Sequence, residues 1–260
     1  MEMEDSVQMM HTCIRKGEVG KYVFLPGSVE RATLIAQHFD HPRKLVQNRE
    51  FLTYVGELDG ERVAVTSTGI GGPSAGIAAE ELFRCGVHTM IRIGSCASTS
   101  PLSHVGDVMV PRGAVRMEGT GDHYLPPEFP AVPDYTLFKA LEKAARESGV
   151  PYNTGVSITK DSFYTEATPE TKPVYQELKY KWEAYEKGGA TNTCMECAPL
   201  FLIGASLRIR TAAVLICATN YKTYTNDDRD YPRDWEQRAI VVGIEGMRGV
   251  IQRDRARGIV

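Results

Sequence analysis

Two charged residues in apolar segments of the 260-residue chain are the best suited to chemistry. Arg92 lies in the run 89–94 (TMIRIG), and Glu196 lies in the run 194–201 (CMECAPLF). Burying either charge alone is unfavourable, so each needs a partner or a polar ligand. An arginine can hold an anion such as phosphate with two parallel hydrogen bonds, and a carboxylate can accept from paired sugar hydroxyls. The two residues therefore indicate a site for an anion beside a sugar, unless they pair with unrelated core groups.

A second anion-binding motif is indicated by the run 26–31 (PGSVER), which follows a short apolar segment. A glycine turn before a helix exposes free backbone N–H groups at Gly27, and Arg31 adds a full positive charge. Alone, the same run also describes an ordinary turn. It gains weight because Arg92 and Ser95 are expected at the end of another strand, where ligands of open α/β sheets gather. Arg49, just before a further predicted strand, offers a third cation or else a solvated turn.

Two other patterns argue against familiar cofactors. The glycine-rich run 69–74 (GIGGPS) lacks the Gly-Lys-Ser/Thr ending of a nucleotide P-loop and has no Rossmann context, so neither ATP nor NAD is expected. Cys194 and Cys197 have the spacing of a metal or redox pair. The sequence contains only one such pair, which favours structural thiols over a metal site.

Composition narrows the class of protein further. Apolar residues make up 42% and charged residues 24%, which is ordinary for a globular enzyme. A net charge of −3 gives no reason to expect nucleic acid or an anionic membrane as a partner. No apolar run approaches the length needed to cross a bilayer, and the acidic N-terminus does not resemble a secretory signal. A cytoplasmic location is therefore expected.

The elements that must position these residues follow an α/β pattern, in which short apolar runs alternate with amphipathic stretches. We see no internal repeat or linker and expect one domain. Ser74 is expected to cap the helix that follows it. Residues 161–189 read as a polar stretch. The predicted strands cover 22–25, 51–57, 62–67, 89–94, 105–110, 156–159 and 212–218, and the predicted helices cover 29–39, 75–85, 137–148, 196–207 and 235–253.

Several short motifs in a fixed order resemble the uridine phosphorylases of the trimeric and hexameric nucleoside phosphorylase family. The resemblance covers nearly the whole chain and implies a single domain, residues 1–260, with a central mixed β-sheet flanked by helices. The motifs are 26–31 (PGSVER), 48–51 (NREF), 67–74 (STGIGGPS), 80–82 (EEL), 92–95 (RIGS), 105–108 (VGDV), 128–132 (EFPAV), 161–164 (DSFY) and 195–198 (MECA).

The resemblance also implies a role for each matching residue. Arg92 and Glu196 would be catalytic, and some groups would come from a neighbouring subunit, which implies a homodimer or homohexamer with shared sites. A monovalent cation, K⁺ or Na⁺, is implied at the dimer interface. The implied sets are Gly27, Arg31, Arg49 (from the neighbour), Arg92 and Ser95 for phosphate; His11 (from the neighbour), Ser95, Met195 and Glu196 for ribose; Phe163, Asn220 and Tyr221 for the base; and Glu50, Ile70 and Ser74 for the cation.

The chain departs from the family pattern where the base is read. A Gln-x-Arg reader of the uracil edge is usual after the Phe-Tyr pair, but Ala167 and Pro169 occupy its positions here. Lys222, Glu166 and Gln176 are candidate replacements. Purine-specific relatives carry an aspartate near Asn220 that can protonate the base, and an asparagine cannot do so. The preferred base therefore stays open, with purine cleavage disfavoured.

The implied reaction is reversible phosphorolysis: uridine and phosphate give uracil and ribose 1-phosphate, with phosphate as co-substrate and no organic cofactor. Phosphorolysis of another base, or of several bases, is one alternative. A nucleosidase that uses water is a second, and the retained arginines Arg31 and Arg92 speak against it. A weakly active nucleoside-binding protein is a third, because the altered base segment permits it.

Overall fold

The computed structural model describes residues 7–220 and 234–259. Its nine strands are β1 (Tyr22–Pro26), β2 (Asp40–Asn48), β3 (Phe51–Leu58), β4 (Glu61–Thr66), β5 (Thr89–Ser98), β6 (Val108–Met117), β7 (Tyr152–Lys160), β8 (Ala190–Cys194) and β9 (Arg210–Asn220). They form one sheet in the order β2-β3-β4-β1-β5-β8-β7-β6-β9. Parallel and antiparallel pairs both occur, so the predicted α/β class with a mixed sheet is confirmed.

The sheet closes on itself at one end. Strand β9, at the end of the strand order, also pairs in parallel with β5 along its full length, from Thr89↔Arg210 to Ser98↔Asn220. Strands β5, β8, β7, β6 and β9 therefore form a closed ring, and β1 to β4 extend from it as an open sheet. Closure keeps β5 extended past Arg92, which corrects the expectation that Arg92 and Ser95 end their strand.

Seven α-helices lie within the described residues: α1 (Val29–Ala36), α2 (Gly72–Arg84), α3 (Tyr135–Glu147), α4 (Tyr164–Ala167), α5 (Tyr175–Lys187), α6 (Cys197–Leu207) and α7 (Trp235–Ala256). Five of them cover the two faces of the sheet. Because successive residues of a strand point to opposite faces, Phe24 packs towards α1, α3 and α7, whereas Leu25 packs towards α2 and α6. Both faces of β1 are thus buried, as expected for a strand inside an α/β sheet.

Three features differ from the sequence prediction. The polar stretch 161–189 contains α4 and α5; α5 buries none of its residues, so it lacks the apolar stripe that marks a helix. Strand β2 is largely exposed and β8 is short and polar, so neither has the pattern of a strand. Ser74 does not cap α2, because Gly71 occupies the N-cap position and the Ser74 hydroxyl donates to the carbonyl oxygen of Thr68.

Within the described ranges, no helix is long and apolar enough to cross a membrane.

Candidate active site

Arg92 and Glu196 meet at the centre of the structure. The Arg92 Nη2 lies 2.5 Å from Glu196 Oε2, and the two residues are only 4% and 3% exposed. Arg92 lies within β5, and Glu196 lies in the short connection between β8 and α6, so two separate segments bring them together. The two charges that were singled out in the sequence therefore pair with each other rather than with unrelated core groups.

Backbone N–H groups hold the Glu196 carboxylate from two sides. Gly71 N donates to Oε1 at 2.8 Å, and Met195 N donates to Oε2 at 3.2 Å. Gly71 has a φ of 95°, a conformation that glycine adopts without strain. The glycine-rich loop before α2 thus orients the carboxylate through its backbone. A carboxylate has about four acceptor positions, so Glu196 still has capacity for a hydroxyl donor.

Arg92 has two donor nitrogens that the pair with Glu196 does not use. Its Nε and Nη1 are buried, and neither makes a hydrogen bond with any group in residues 7–220 or 234–259. Buried donors are normally satisfied, so two on one guanidinium point to a ligand that accepts from both. The glycines Gly27 and Gly94 leave the space for it: a Cβ on Gly94 would lie 3.0 Å from Arg92 Nε, and one on Gly27 would lie 3.8 Å from Nη2.

Arg31 lies on the same edge of the sheet, in the first turn of α1. Ser28 caps this helix by accepting from Arg31 N. The Arg31 side chain is buried, donates to Ser95 Oγ at 2.8 Å and pairs with Glu236 Oε1 at 2.6 Å. Ser95 thus links Arg31 to β5, the strand that carries Arg92.

A second group of predicted residues lies on one face beside α2. His11 is held by Glu81, whose carboxylate contacts His11 Nδ1 at 2.7 Å and accepts from the N–H groups of His11 and Thr12. Although burial alone would raise it, these hydrogen bonds hold the pKa of Glu81 below its usual value. Asn48 Nδ2 donates to His11 O at 2.8 Å, so the predicted neighbour-facing segments touch each other.

The residues expected to bind a cation, or to reach a neighbour, continue this face. Ser74 Oγ donates to Glu50 Oε1 at 2.7 Å, and Ile70 is 77% exposed. Hydrogen bonds from its own backbone N–H and from Ser74 lower the pKa of Glu50, so the carboxylate is ionised at neutral pH. Arg49 is exposed in the turn between β2 and β3, with a φ of 51°. Arg49 thus lies on the surface of this subunit.

Two of the predicted base-binding residues, Phe163 and Asn220, lie in the described part of the chain. Phe163 is 53% exposed and packs edge-on against Tyr164, with ring centroids 5.4 Å apart. Asn220 is buried at the end of β9, and its amide nitrogen donates to the carbonyl oxygens of Ser100 and Ser103. It therefore holds the loop after β5. Tyr221 and Lys222 lie outside the described residues.

The six cysteines lie mostly in the core. All six are unpaired, and five of them are buried. Within the described part of the chain, no cluster of three or more His, Cys, Asp or Glu residues could hold a metal ion.

Sequence patterns did not indicate three groups at this edge of the sheet: Glu236, the backbone N–H of Gly71, and Lys160. Glu236 lies near the start of α7, and no spacing in the sequence connects it with Arg31. The backbone N–H of Gly71 has no side chain to reveal its role. Lys160 could have been noticed in the sequence, because a charged side chain directly follows the predicted strand 156–159, much as Arg92 lies within an apolar run.

Comparison with known proteins agrees with this geometry. A family model described as the phosphorylase superfamily matches residues 21–242. The chain therefore belongs to the phosphorylase superfamily, which confirms the family predicted from the motifs.

Individual relatives cover nearly the whole chain. It is 42% identical over 247 residues to the uridine phosphorylase of Treponema pallidum (strain Nichols), across 95% of this chain and 96% of the relative. It is 36% identical over 230 residues to the uridine phosphorylase of Escherichia coli (strain K12), across 87% and 91%. It is also 32% identical over 244 residues to the guanosine phosphorylase of Halorubrum lacusprofundi, across 91% and 97%.

Proposed function

We propose that this protein is a pentosyltransferase that cleaves uridine with phosphate, giving uracil and ribose 1-phosphate. The observation that carries the proposal is the state of Arg92. One nitrogen of its buried guanidinium contacts Glu196, and the two others have no acceptor among the described residues. A tetrahedral oxyanion can accept from both, and a ribose bound at Glu196 would then lie next to it.

Phosphate would bind between the first turn of α1 and β5. Arg92 and Arg31 supply positive charge, Ser95 supplies a hydroxyl, and Gly27 lets the anion approach the backbone. Arg49 would complete the site from a neighbouring subunit. These groups stabilise a phosphate dianion as one of its oxygens attacks the sugar.

Ribose would bind at Glu196, whose carboxylate accepts from the sugar hydroxyls while Met195 and Ser95 contact the ring. His11 would reach the sugar from the neighbour. As the phosphate oxygen bonds to C1′, the bond from C1′ to the base nitrogen breaks and its electron pair leaves with the base. No covalent enzyme intermediate is needed, so orientation and charge stabilisation supply the catalysis.

The base would pack against Phe163, with Asn220 and Tyr221 beside it. The similarity to a guanosine phosphorylase makes a purine substrate the second candidate. Asn220 disfavours it, because an amide cannot protonate a purine ring nitrogen and its own nitrogen is engaged by Ser100 and Ser103.

The remaining features of the proposal concern assembly and setting. We propose a homodimer or homohexamer of single-domain subunits in the cytoplasm, serving pyrimidine salvage, with neither nucleic acid nor membrane as a partner. K⁺ or Na⁺ would bind at the interface through Glu50, Ile70 and Ser74. The ionised Glu50 carboxylate and the adjoining Ser74 hydroxyl are oxygen donors of the kind that such ions prefer.

Incubation with uridine, with and without phosphate, tests the activity when free uracil and ribose 1-phosphate are both measured. A phosphorylase forms both products only when phosphate is present. Uracil release without phosphate would identify a nucleosidase, and binding without turnover would identify a binding protein. Inosine, guanosine and thymidine at saturating phosphate then rank the bases, and a preference for a purine would refute the uridine assignment.

Mixed oligomers test the shared sites. Arg49→Ala and Glu196→Ala subunits should each be inactive alone. After co-assembly they should regain part of the activity, because some sites then receive an intact Arg49 and an intact Glu196. A fully active monomer at the assay concentration would refute sharing.

A further inference from the structure

A buried lysine–glutamate pair lies beside the candidate active site and has no role in the mechanism above. Lys160 is the last residue of β7, and its ammonium group contacts the Glu166 carboxylate of α4. The preceding residue, Thr159, is in register with Cys194 of β8 and accepts from Ala198 N at 3.0 Å. Lys160 therefore ends its strand at the same edge of the sheet as Glu196.

Both charged side chains are enclosed, each only 6% exposed. Beyond the contact with Lys160, neither oxygen of Glu166 accepts a hydrogen bond from the described residues. Replacing a buried ion pair by apolar side chains is often neutral or stabilising, so burial of the pair is weak evidence for a purely structural role. A buried carboxylate with unused acceptor capacity instead suggests a ligand that donates to it.

The surroundings fit a flat ring. Lys160 Nζ lies 5.6 Å from the ring centroid of Phe163 and 5.8 Å from that of Trp182. Glu166, Lys160 and Trp182 also line a cavity of about 370 Å³, together with apolar groups that include Met117 and Leu178. The pair thus lies among aromatic and apolar surfaces, next to the half-exposed Phe163.

The charge state of Lys160 suits hydrogen bonding to a neutral base. Burial lowers the pKa of the ammonium group to about 8, although negative charge at Cys194 and Glu196 opposes the shift. Lys160 is therefore still charged at neutral pH, and it also feels the charge of the proposed ribose-binding carboxylate.

We propose that Lys160 and Glu166 are the specificity-determining residues for the base, Glu166 accepting from a ring N–H and Lys160 donating to an adjacent ring carbonyl oxygen. This inference rests on the proposed function, since it concerns the base of the same nucleoside. A pyrimidine-dione such as uracil offers an N–H between two carbonyl groups, which matches an acceptor beside a donor. The pair would thus take over the reading that Ala167 and Pro169 cannot perform.

The test compares uridine with 3-methyluridine, in which a methyl group replaces the ring N–H. The double variant Lys160→Met/Glu166→Leu removes both charges, so no lone buried charge remains. For the wild type we expect kcat/KM for uridine to exceed that for 3-methyluridine on the order of 100-fold, and for the double variant we expect a ratio within about threefold of unity. Glu166→Gln keeps the shape of the side chain and should lower the ratio less, which keeps the test valid if the double variant unfolds.

The exposed pair Lys181 and Glu177, 2.6 Å apart on α5, provides the matched control. Lys181→Met/Glu177→Leu should leave both substrates unaffected. An equal loss on both substrates in the Lys160/Glu166 variants would show a structural role and overturn the proposal, as would a wild type that does not distinguish the two nucleosides. If the wild type cleaves no nucleoside, the proposed function fails, and calorimetric binding of the same two nucleosides decides the base-reading proposal independently.

Discussion

Two arginine–carboxylate pairs beside β5 have opposite properties. At the amino end, Arg210 donates through Nη1 and Nη2 to both oxygens of Asp254, and through Nε and Nη2 to Thr89 Oγ1. Tyr22 donates a further hydrogen bond to Asp254 at 2.8 Å. Three residues further along β5 than Thr89, Arg92 contacts Glu196 through Nη2 alone, and its Nε and Nη1 have no partner in the described chain.

This difference separates a pair that holds the fold from a pair that awaits a ligand. Both arginines lie close to the same two strands, and both pairs are 2.5 Å apart at their shortest contact. What distinguishes them is whether every donor is satisfied, because unsatisfied buried donors are unfavourable until a ligand accepts from them. Hydrogen-bond satisfaction, rather than distance, therefore identifies the functional pair.

The largest expected effect is on Arg92. Arg92→Lys keeps the charge but loses the planar guanidinium that makes two parallel hydrogen bonds. We expect the transition state for uridine cleavage to lose about 3 kcal/mol or more of stabilisation, and kcat/KM to fall accordingly. Phosphate should also raise the melting temperature of the wild type and not of the variant, because only the wild type binds it tightly. Steady-state kinetics over a range of phosphate concentrations and a thermal melt would measure both. Unchanged dependence on phosphate would mean that Arg92 is structural and that the comparison fails.

Asp254→Asn tests the pair that holds the fold. It leaves Arg210, whose side chain is 24% exposed, without its charged partner, so the free energy of unfolding should fall by about 2 kcal/mol. Once the variant is folded, kcat/KM should equal that of the wild type, because Asp254, on α7, contacts Arg210 and Tyr22 rather than the pair of Arg92 and Glu196. Urea denaturation and kinetics on the same preparation would separate the two effects. A loss of activity without a loss of stability would contradict the assignment.

The functional pair, Arg92 and Glu196, could be predicted from the sequence better than the architecture around it could. Arg92 and Glu196 stood out because a charge in an apolar run requires a partner, and that requirement holds whatever the topology. The closure of β9 onto β5 could not be predicted, since it depends on the pairing partner of a strand rather than on its composition. The pairing of Glu236 with Arg31 was hidden for the same reason, because it depends on where α7 begins in space.

The elements that were missed share a local cause. Strand β8 is short and built from residues such as Thr191 and Asn192, so it lacks apolar alternation. Helix α5 has no buried face, and β2 is an exposed edge strand. Periodicity reports burial, so elements that bury little leave little signal.

Gly71→Ala tests the backbone on which the functional pair depends. At a φ of 95° a side chain is strained, and relaxation would turn the Gly71 N–H away from Glu196. We expect about 2 kcal/mol, divided between lower stability and lower kcat/KM. Gly86→Ala is the matched control: Gly86 has a φ of 102° and open space around it, so the variant should lose stability but keep kcat/KM. Equal kcat/KM in both variants would show that the Gly71 N–H does not position Glu196.

The smallest expected effect is that of Tyr22→Phe, which keeps the ring in the core and removes only the hydrogen bond to Asp254. Arg210 still satisfies the carboxylate, so the free energy of unfolding should fall by only about 1 kcal/mol at pH 7.

Although burial alone would raise it, the hydrogen bonds from Arg210 and Tyr22 hold the pKa of Asp254 below its usual value. A carboxylate whose pKa is lowered by folding stabilises the protein above its unfolded pKa, and this contribution is lost as the pH falls through the folded value. The stability difference between wild type and Tyr22→Phe should therefore stay constant near neutral pH and shrink below about pH 4. Urea titrations from pH 7 down to pH 3 would measure it. A difference that is independent of pH would mean that the Tyr22 hydroxyl acts through packing. The pair of Arg210 and Asp254 would then not stabilise the fold through its charge.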